Sequence, residues 1–338
     1  MPSLPKPIRI PFQRKARELS AFAKAFYQTL FSGHPPSPAE KELAALPEGR
    51  SRIWARNLHL YYDDAVVLKI RDMVADMRVH DSGYPLMPDR KDSYSIVIHQ
   101  GAIRLPAASL EALLNRHVLH KSDLPLYDAR VSLAGDRMTL HAKLRWKLNL
   151  PLPITLECRL LPVEDGHLVL EVERLRAAEI GLGGLMGFLN MSLEALLPSS
   201  GAGAAGLTVR DNRLYIDPIA TLPEPRSEGR PKEARLERGE LVLLYAPDEA
   251  LDPPPPLIDP KAPCYVLGVG HDLLIGKMLM KDAYYQVVSR DGATHLDFAL
   301  EGYREQLAAG NSTLSNDGAV LVRLPNLNPR LGTGPLQA

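Results

Sequence analysis

The chain has 338 residues, 45% of them hydrophobic and 24% charged, with Lys plus Arg and Asp plus Glu balanced at 40 each. That is ample for a large packed core, and a formal charge of zero leaves no long-range field that would favour nucleic acid as a partner. Two cysteines, Cys158 and Cys264, exclude a disulfide scaffold and read as structural thiols, since Cys158 shares the apolar side of "ITLECRL" with Ile154, Leu156 and Leu160.

Residues 1–11 carry Pro2, Pro5, Pro7 and Pro11 and are expected to be extended, because each proline disfavours helix in the residue before it. A helix is predicted next. Phe12, Ala16, Leu19, Ala23, Phe26 and Leu30 recur at spacings of three or four, with Phe22 on the border of the stripe. The first 31 residues hold six basic side chains against one acidic one, and four of the six phenylalanines of the chain. Such a helix can lie on an anionic membrane, or dock on its own protein or a partner subunit. Phe12, Leu19, Phe22, Phe26 and Leu30 are the expected contacts in either case. The start has no uninterrupted apolar core and no A-x-A-like cleavage site, so a secretory leader is not expected. "GHPPSPAEKELAALPEG" then reads as a linker with one short helix.

From Arg52 the pattern turns to strands, in "RIWARNLHLYY", "AVVLKIRDMVADMRV" and "DSYSIVIHQGAIRL", whose apolar residues alternate in pieces. Between Pro106 and His120 the period changes: Leu110, Leu113, Leu114, His117 and Val118 share a helical face. Two hairpins follow, turning at Gly135 and Asp136 and near Asp165 and Gly166. The strand "RMTLHAKLRWKLNL" places Met138, Leu140, Ala142, Leu144, Trp146 and Leu148 on one face. A strand that long and one-sided must cover something apolar.

A second helix is predicted after Gly184, with Leu185, Met186, Leu189, Leu193, Leu196 and Leu197 as its stripe. The stretch from Ile180 holds four glycines, Asn190 and Glu194, too interrupted for a membrane span. Beyond "SSGAGAAG" come "LTVRDNRLYID" and "ARLERGELVLLY", then four consecutive prolines that make a stiff connection, and a tail of strands with one short helix. The expected organisation is an arm, basic helix and linker over 1–50, a curved sheet over 51–250, and a proline-rich connection with strands completing the same domain over 251–338.

Catalytic signatures are missing. There is no G-x-S-x-G, H-E-x-x-H or paired C-x-x-C, so the chain is not expected to be an enzyme or to carry a cofactor. "GVGHDLLIGKM" has one residue too many for a phosphate loop and Met278 where a hydroxyl residue belongs. "GLGGLMG" has Met186 where a dinucleotide turn needs glycine. His117 and His120 lack an evident third metal ligand, and Asp63 with Asp64 reads as a turn feature.

Long one-sided strands and two apolar helices imply an α+β roll, in which a strongly curved antiparallel sheet wraps one or two helices. Any gap left inside would be long and apolar, suited to an acyl or isoprenoid chain. The run "GAIRLPAASLEALLN", the hairpins at Gly135 and Gly166, "LEALLP", "GLTVRDNRLYIDP" and "GELVLLY" together resemble the bacterial LmeA-like branch of the tubular lipid-binding (TULIP) superfamily. The resemblance runs from about Tyr94 to Tyr245 and implies a noncatalytic lipid-binding or lipid-transfer protein. With neither a classical signal peptide nor a membrane span read in the sequence, the expected location is cytoplasmic or peripheral on the inner face of a membrane. Leu140, Leu144, Trp146, Leu185, Met186, Leu189 and Leu193 are the expected groove residues. The expected partners are a lipid and a membrane surface or membrane protein complex. The alternative is a scaffolding subunit with a filled interior that docks through its N-terminal helix.

Overall fold

A computed structural model describes residues 38–81, 83–120, 125–145, 151–177, 206–247, 251–270, 272–315 and 318–327. Within them the chain is a β-rich α+β protein of large, mainly antiparallel sheets and few, short helices. After α1 (Pro38–Ala45) come three long strands, β1 (Arg50–Tyr61), β2 (Val67–Val79) and β3 (Tyr94–Pro106). These three form the middle of an eleven-stranded sheet.

The broken alternation of these strands has a single geometric cause. Ile53 and Ala55 of β1 face the core, and so do Leu58 and Leu60, so the inward parity changes between them. In β2 it changes between Leu68 with Ile70 and Met73 with Ala75, and in β3 between Ile96 with Ile98 and Ile103 with Leu105. The changes in β1 and β2 fall at one level, where Asn57 takes a left-handed φ of 50° beside Arg71 and the β2–β3 register shifts between Ile70 and Asp72, and the change in β3 falls a few residues along, at His99, where that register shifts again between Val74 and Ala75. A bulge inserts a residue and turns every later side chain to the other face. Because each of the three strands shifts once within this region, one apolar face stays continuous. Gly101 sits at this level, and a Cβ there would lie 3.0 Å from the carbonyl oxygen of Asp72.

From Pro106 the chain turns into α2 (Ala107–Leu113) and a π-helical turn, Leu114–Leu119, and crosses to a second sheet. Asn115 fixes the crossing. Asp128 has a positive φ of 53°, which breaks the ladder of β4 (Leu126–Ala134) between Tyr127 and Arg130. Asn115 Nδ2 donates to the freed Ala129 carbonyl at 2.7 Å, and its Oδ1 accepts the Ala129 N–H at 2.8 Å.

The second sheet holds six strands: β4, β5 (Arg137–Arg145), β6 (Pro151–Glu164), β7 (His167–Ala177), β8 (Leu207–Arg210) and β9 (Arg213–Ile216), in the order β4-β5-β6-β7-β9-β8. Tight turns set its registers. Asp165 and Gly166 both have positive φ, as a I′ hairpin requires, and so do Asp211 and Asn212 between β8 and β9. Residues 146–150 lie outside the described part of the chain, so β5 is described as nine residues rather than the longer strand read from its pattern.

The chain then returns to the first sheet. β10 (Arg226–Glu228) pairs parallel with β3, and β11 (Glu233–Glu237) and β12 (Glu240–Tyr245) extend that edge. β13 (Tyr265–Gly270), β16 (Ala283–Ser289), β19 (Val320–Leu324) and β18 (Asn311–Leu314) extend the opposite edge from β1. β17 (Leu296–Ala299) pairs parallel with β1 past Asn57, and α3 (Tyr303–Ala309) follows it. The stretch read as one curved sheet over 51–250 is thus divided between two sheets, and strands of the tail share a sheet with β1.

The proline-rich connection is packed rather than free. The side chain of Gln286, fully buried, accepts the N–H of Asp259 and donates to its carbonyl, at 2.7 and 3.2 Å. Leu257 and Ile258 pack on Trp54, Tyr265 and Leu267, so this part of the large sheet is covered on its outer face too. Among the described residues no helix is long and apolar enough to cross a membrane.

Candidate functional site: an apolar cavity between the sheets

The inner faces of the two sheets meet along a seam that contains a cavity of about 80 Å³. The large sheet contributes Leu68, Ile103, Leu105, Leu241, Leu243 and Tyr245, from β2, β3 and β12. The small sheet contributes Val131, Met138, Leu160, Leu168, Leu170 and Ile216. Leu110, Leu113, Leu114 and Val118 close one side from α2 and the π turn. The helical stripe legible in the sequence is therefore one wall of the cavity. Pro218, Thr221 and Leu222 follow β9 and complete the lining.

The lining carries no charge. Its polar side-chain groups are the hydroxyls of Thr221 and Tyr245, and Thr221 already donates to the Pro218 carbonyl at 2.9 Å. Burial pushes the Tyr245 hydroxyl well above its ordinary pKa, with nearby Tyr62 and Asp217 adding to the shift, so the phenol stays neutral. Leu110, Leu114, Val131, Leu160, Ile216 and Leu222 are only half-buried, so this side of the seam approaches solvent.

By the same measure a water occupies roughly 10–15 Å³, so the space admits roughly five to eight groups of methylene size. Burying that many methylenes gains roughly 4–6 kcal/mol before the cost of immobilising a ligand. Such a gain alone corresponds to dissociation constants from about millimolar down to tens of micromolar, before that cost is subtracted. The cavity therefore suits the end of a chain, and tight binding needs further contact outside it.

Of the expected groove residues, Leu144 is buried at 1% exposure and Leu140 is half-buried. Both belong to the core of the small sheet, on the face of β5 that also carries Met138. Met138 reaches the cavity, whereas Leu140 and Leu144 do not line it. Trp146, Leu185, Met186, Leu189 and Leu193 lie outside the described residues, as do Phe12, Leu19, Phe22, Phe26 and Leu30. Sequence reasoning missed Ile103, Leu105, Leu241 and Leu243, which show strand alternation but nothing that marks them as facing a cavity.

Other sequence features take structural positions. Asp63 Oδ1 accepts the N–H groups of Ala65 and Val66 at 2.8 and 2.7 Å, which makes it a turn residue, and its Oδ2 stands 3.3 Å from His117 Nε2. "GVGHDLLIGKM" spans the end of β13 and a small two-stranded ribbon, β14 (Leu273–Ile275) and β15 (Met278–Met280), with Gly276 in its turn. A phosphate loop would need a helix there. Burial, followed by the charge of Glu173, pushes the Cys158 thiol up to about 12, far from the range of a reactive thiolate.

A wider depression of about 440 Å³ lies on the outer face of the large sheet, lined by Trp54, Arg56, Arg71, Asp72, Gln100 and Tyr265 among others. Its charged and amide side chains make it unsuited to an apolar chain. No family model, curated protein or solved structure matches this chain.

Proposed function

We propose that this protein is a noncatalytic carrier or binder of an acyl- or isoprenoid-type lipid, which inserts a chain end into the seam between the two sheets. The observation that carries this reading is the cavity's chemistry: an uncharged, aliphatic lining, two hydroxyls and a half-buried rim. Polar metabolites would lose hydrogen bonds to water there and recover almost none, whereas an alkyl chain loses nothing. The likeness of residues 94–245 to the LmeA-like TULIP branch supports the same class of ligand. In the fuller form of this reading, the small sheet curves around the helix predicted at Leu185 to Leu197 and continues the groove past Leu144. The protein would then act at a membrane surface, with the basic helix of Phe12 to Phe31 as its contact.

The test is native mass spectrometry of the purified protein, solvent extraction, and titration with a fluorescent long-chain fatty acid. A stoichiometric lipid, or saturable uptake of the probe, is expected. Leu160→Asp and Ile216→Asp place a carboxylate at the half-buried rim, and each should weaken probe binding at least 10-fold with little loss of thermal stability. Unchanged binding in folded rim variants would remove the seam as the site.

A second reading, a scaffolding subunit with a filled interior, is favoured by the modest size of the cavity. A protein that arrives empty and takes up no added lipid would establish it over the first.

A further inference from the structure

Three side chains of ligand type meet on the outer face of the large sheet, away from the seam. They are His59 of β1, His295 immediately before β17, and Asp297 within it. β1 and β17 run parallel there with His59 directly beside Asp297. Leu58 and Leu60 point into the core, so His59 leaves the opposite face.

The geometry is convergent. His59 Nδ1 stands 3.2 Å from Asp297 Oδ1, and His295 Nε2 stands 3.6 Å from that same oxygen. The two imidazoles stack with centroids 4.2 Å apart and planes 27° apart. All three residues offer donor atoms within 4.8 Å of one another.

Asp297 is held from every other side. Its Oδ2 accepts the Leu327 N–H at 3.2 Å, its own N–H donates to Asn326 Oδ1 at 3.1 Å, and its carbonyl accepts from Gln306 at 2.7 Å. Asn326 in turn donates to the His295 carbonyl at 2.9 Å, so one amide fixes the backbone of both ligand residues. Oδ1 itself is buried without a hydrogen-bond partner, in a residue only 5% exposed, and it faces the two ring nitrogens. A simple ion pair would need one histidine, and two stacked imidazolium rings would repel each other. A cation between the rings and Oδ1 would satisfy all three donors at once.

We propose that His59, His295 and Asp297 bind a divalent transition metal, with Zn2+ the best fit, and leave a coordination position open to water. Zinc bonds of about 2.0–2.1 Å in a tetrahedron put neighbouring donors about 3.3–3.4 Å apart, close to the two separations to Oδ1. Magnesium and calcium require more oxygen ligands than one carboxylate supplies. The side chains of His59 and His295 are 25% and 41% exposed, which leaves an entry path and room for the water. The Leu327 N–H on Oδ2 is the outer-shell bond that a metal-bound carboxylate needs to hold its orientation, and the bonds of Asn326 and Gln306 fix the backbone that carries it. Once bound, the ion clamps β17 to β1.

The experiment uses the full chain, stripped with a chelator and dialysed, then titrated with Zn2+ alone by calorimetry, with metal content and thermal midpoint read alongside. Wild-type protein should take up one zinc per chain and show a thermal midpoint that rises with zinc. Two variants, His295→Gln and Asp297→Asn, should each lose more than about 100-fold in zinc affinity, the upper end of what losing an outer-shell partner costs, and should lose the zinc-dependent rise. His295 is partly solvent-exposed, so His295→Gln keeps the fold, which circular dichroism checks independently. Failure of folded wild-type protein to bind zinc at submillimolar concentration overturns the site. So does undiminished binding by folded His295→Gln, because the zinc would then sit elsewhere.

Discussion

At the scale of single residues, the fold depends on a few polar side chains that answer for backbone or charge nothing else can satisfy. Asn115 supplies both hydrogen bonds to Ala129, which is 1% exposed. Asn115→Leu leaves a buried N–H and carbonyl unpaired and should cost about 2–4 kcal/mol in urea unfolding, against well under 1 for an exposed helix position. Asp76 is the buried charge of the outer face. Its carboxylate meets Arg52 Nε at 2.8 Å and His99 Nε2 at 3.1 Å, and Arg52 reaches on to Glu42 of α1 at 2.9 Å. Burial alone would raise its pKa, but the close contacts with His99 and Arg52 outweigh it and lower the value to about 2. A carboxyl depressed in the folded state stabilises fully above its unfolded pKa, and that stability drains away as pH falls toward 2. The stability gap between wild type and Asp76→Asn should therefore narrow by about 2 kcal/mol between pH 5 and pH 2. A gap that stays constant across that range would show that the carboxylate is not depressed by its partners.

The same logic at the level of elements explains why β1, β2 and β3 were legible as strands while their faces were not. Each reads as apolar alternation in two pieces, and neither piece says which parity faces inward. Only the three shifts taken together, at Asn57 and Arg71 and at His99 a few residues along, make the pieces one surface. Gly101→Ala should test this level of the sheet, because its Cβ would press on the Asp72 carbonyl and on Met73 Cα, 3.3 Å away. We expect a loss of about 1–3 kcal/mol, read by chemical denaturation. The hairpins at Gly135 and Asp165–Gly166 were legible because positive φ leaves a local trace in residue type. Asp128 and Asn57 use the same conformation inside strands, where the sequence gives no such context.

For the molecule as a whole, the chain leaves the first sheet at Pro106, builds the second, and re-enters the first at Arg226. The seam therefore joins segments distant in sequence, and the cavity is a property of the layering rather than of any element. This yields a prediction that separates the two functional readings. A chain beginning at Pro38 retains the described sheets, so it should still bind the fluorescent fatty acid if the seam is the site, while its association with anionic vesicles falls. Loss of probe binding in this folded, truncated chain would place the lipid site in the N-terminal arm instead.

Composition, periodicity and turn chemistry determined the kind of element at most positions, because helix and strand periods and positive-φ residues are local signals. They also carried the β-rich character, the helical stripe at Leu110 to Val118 and the structural role of Asp63. The tertiary structure decided the division into two sheets, the cavity that Leu105, Leu160 and Leu243 share, and the meeting of His59 with His295 and Asp297. Each of these is a pairing of remote segments. Strand order is set by how whole apolar faces cover one another, and no local window of sequence contains that information.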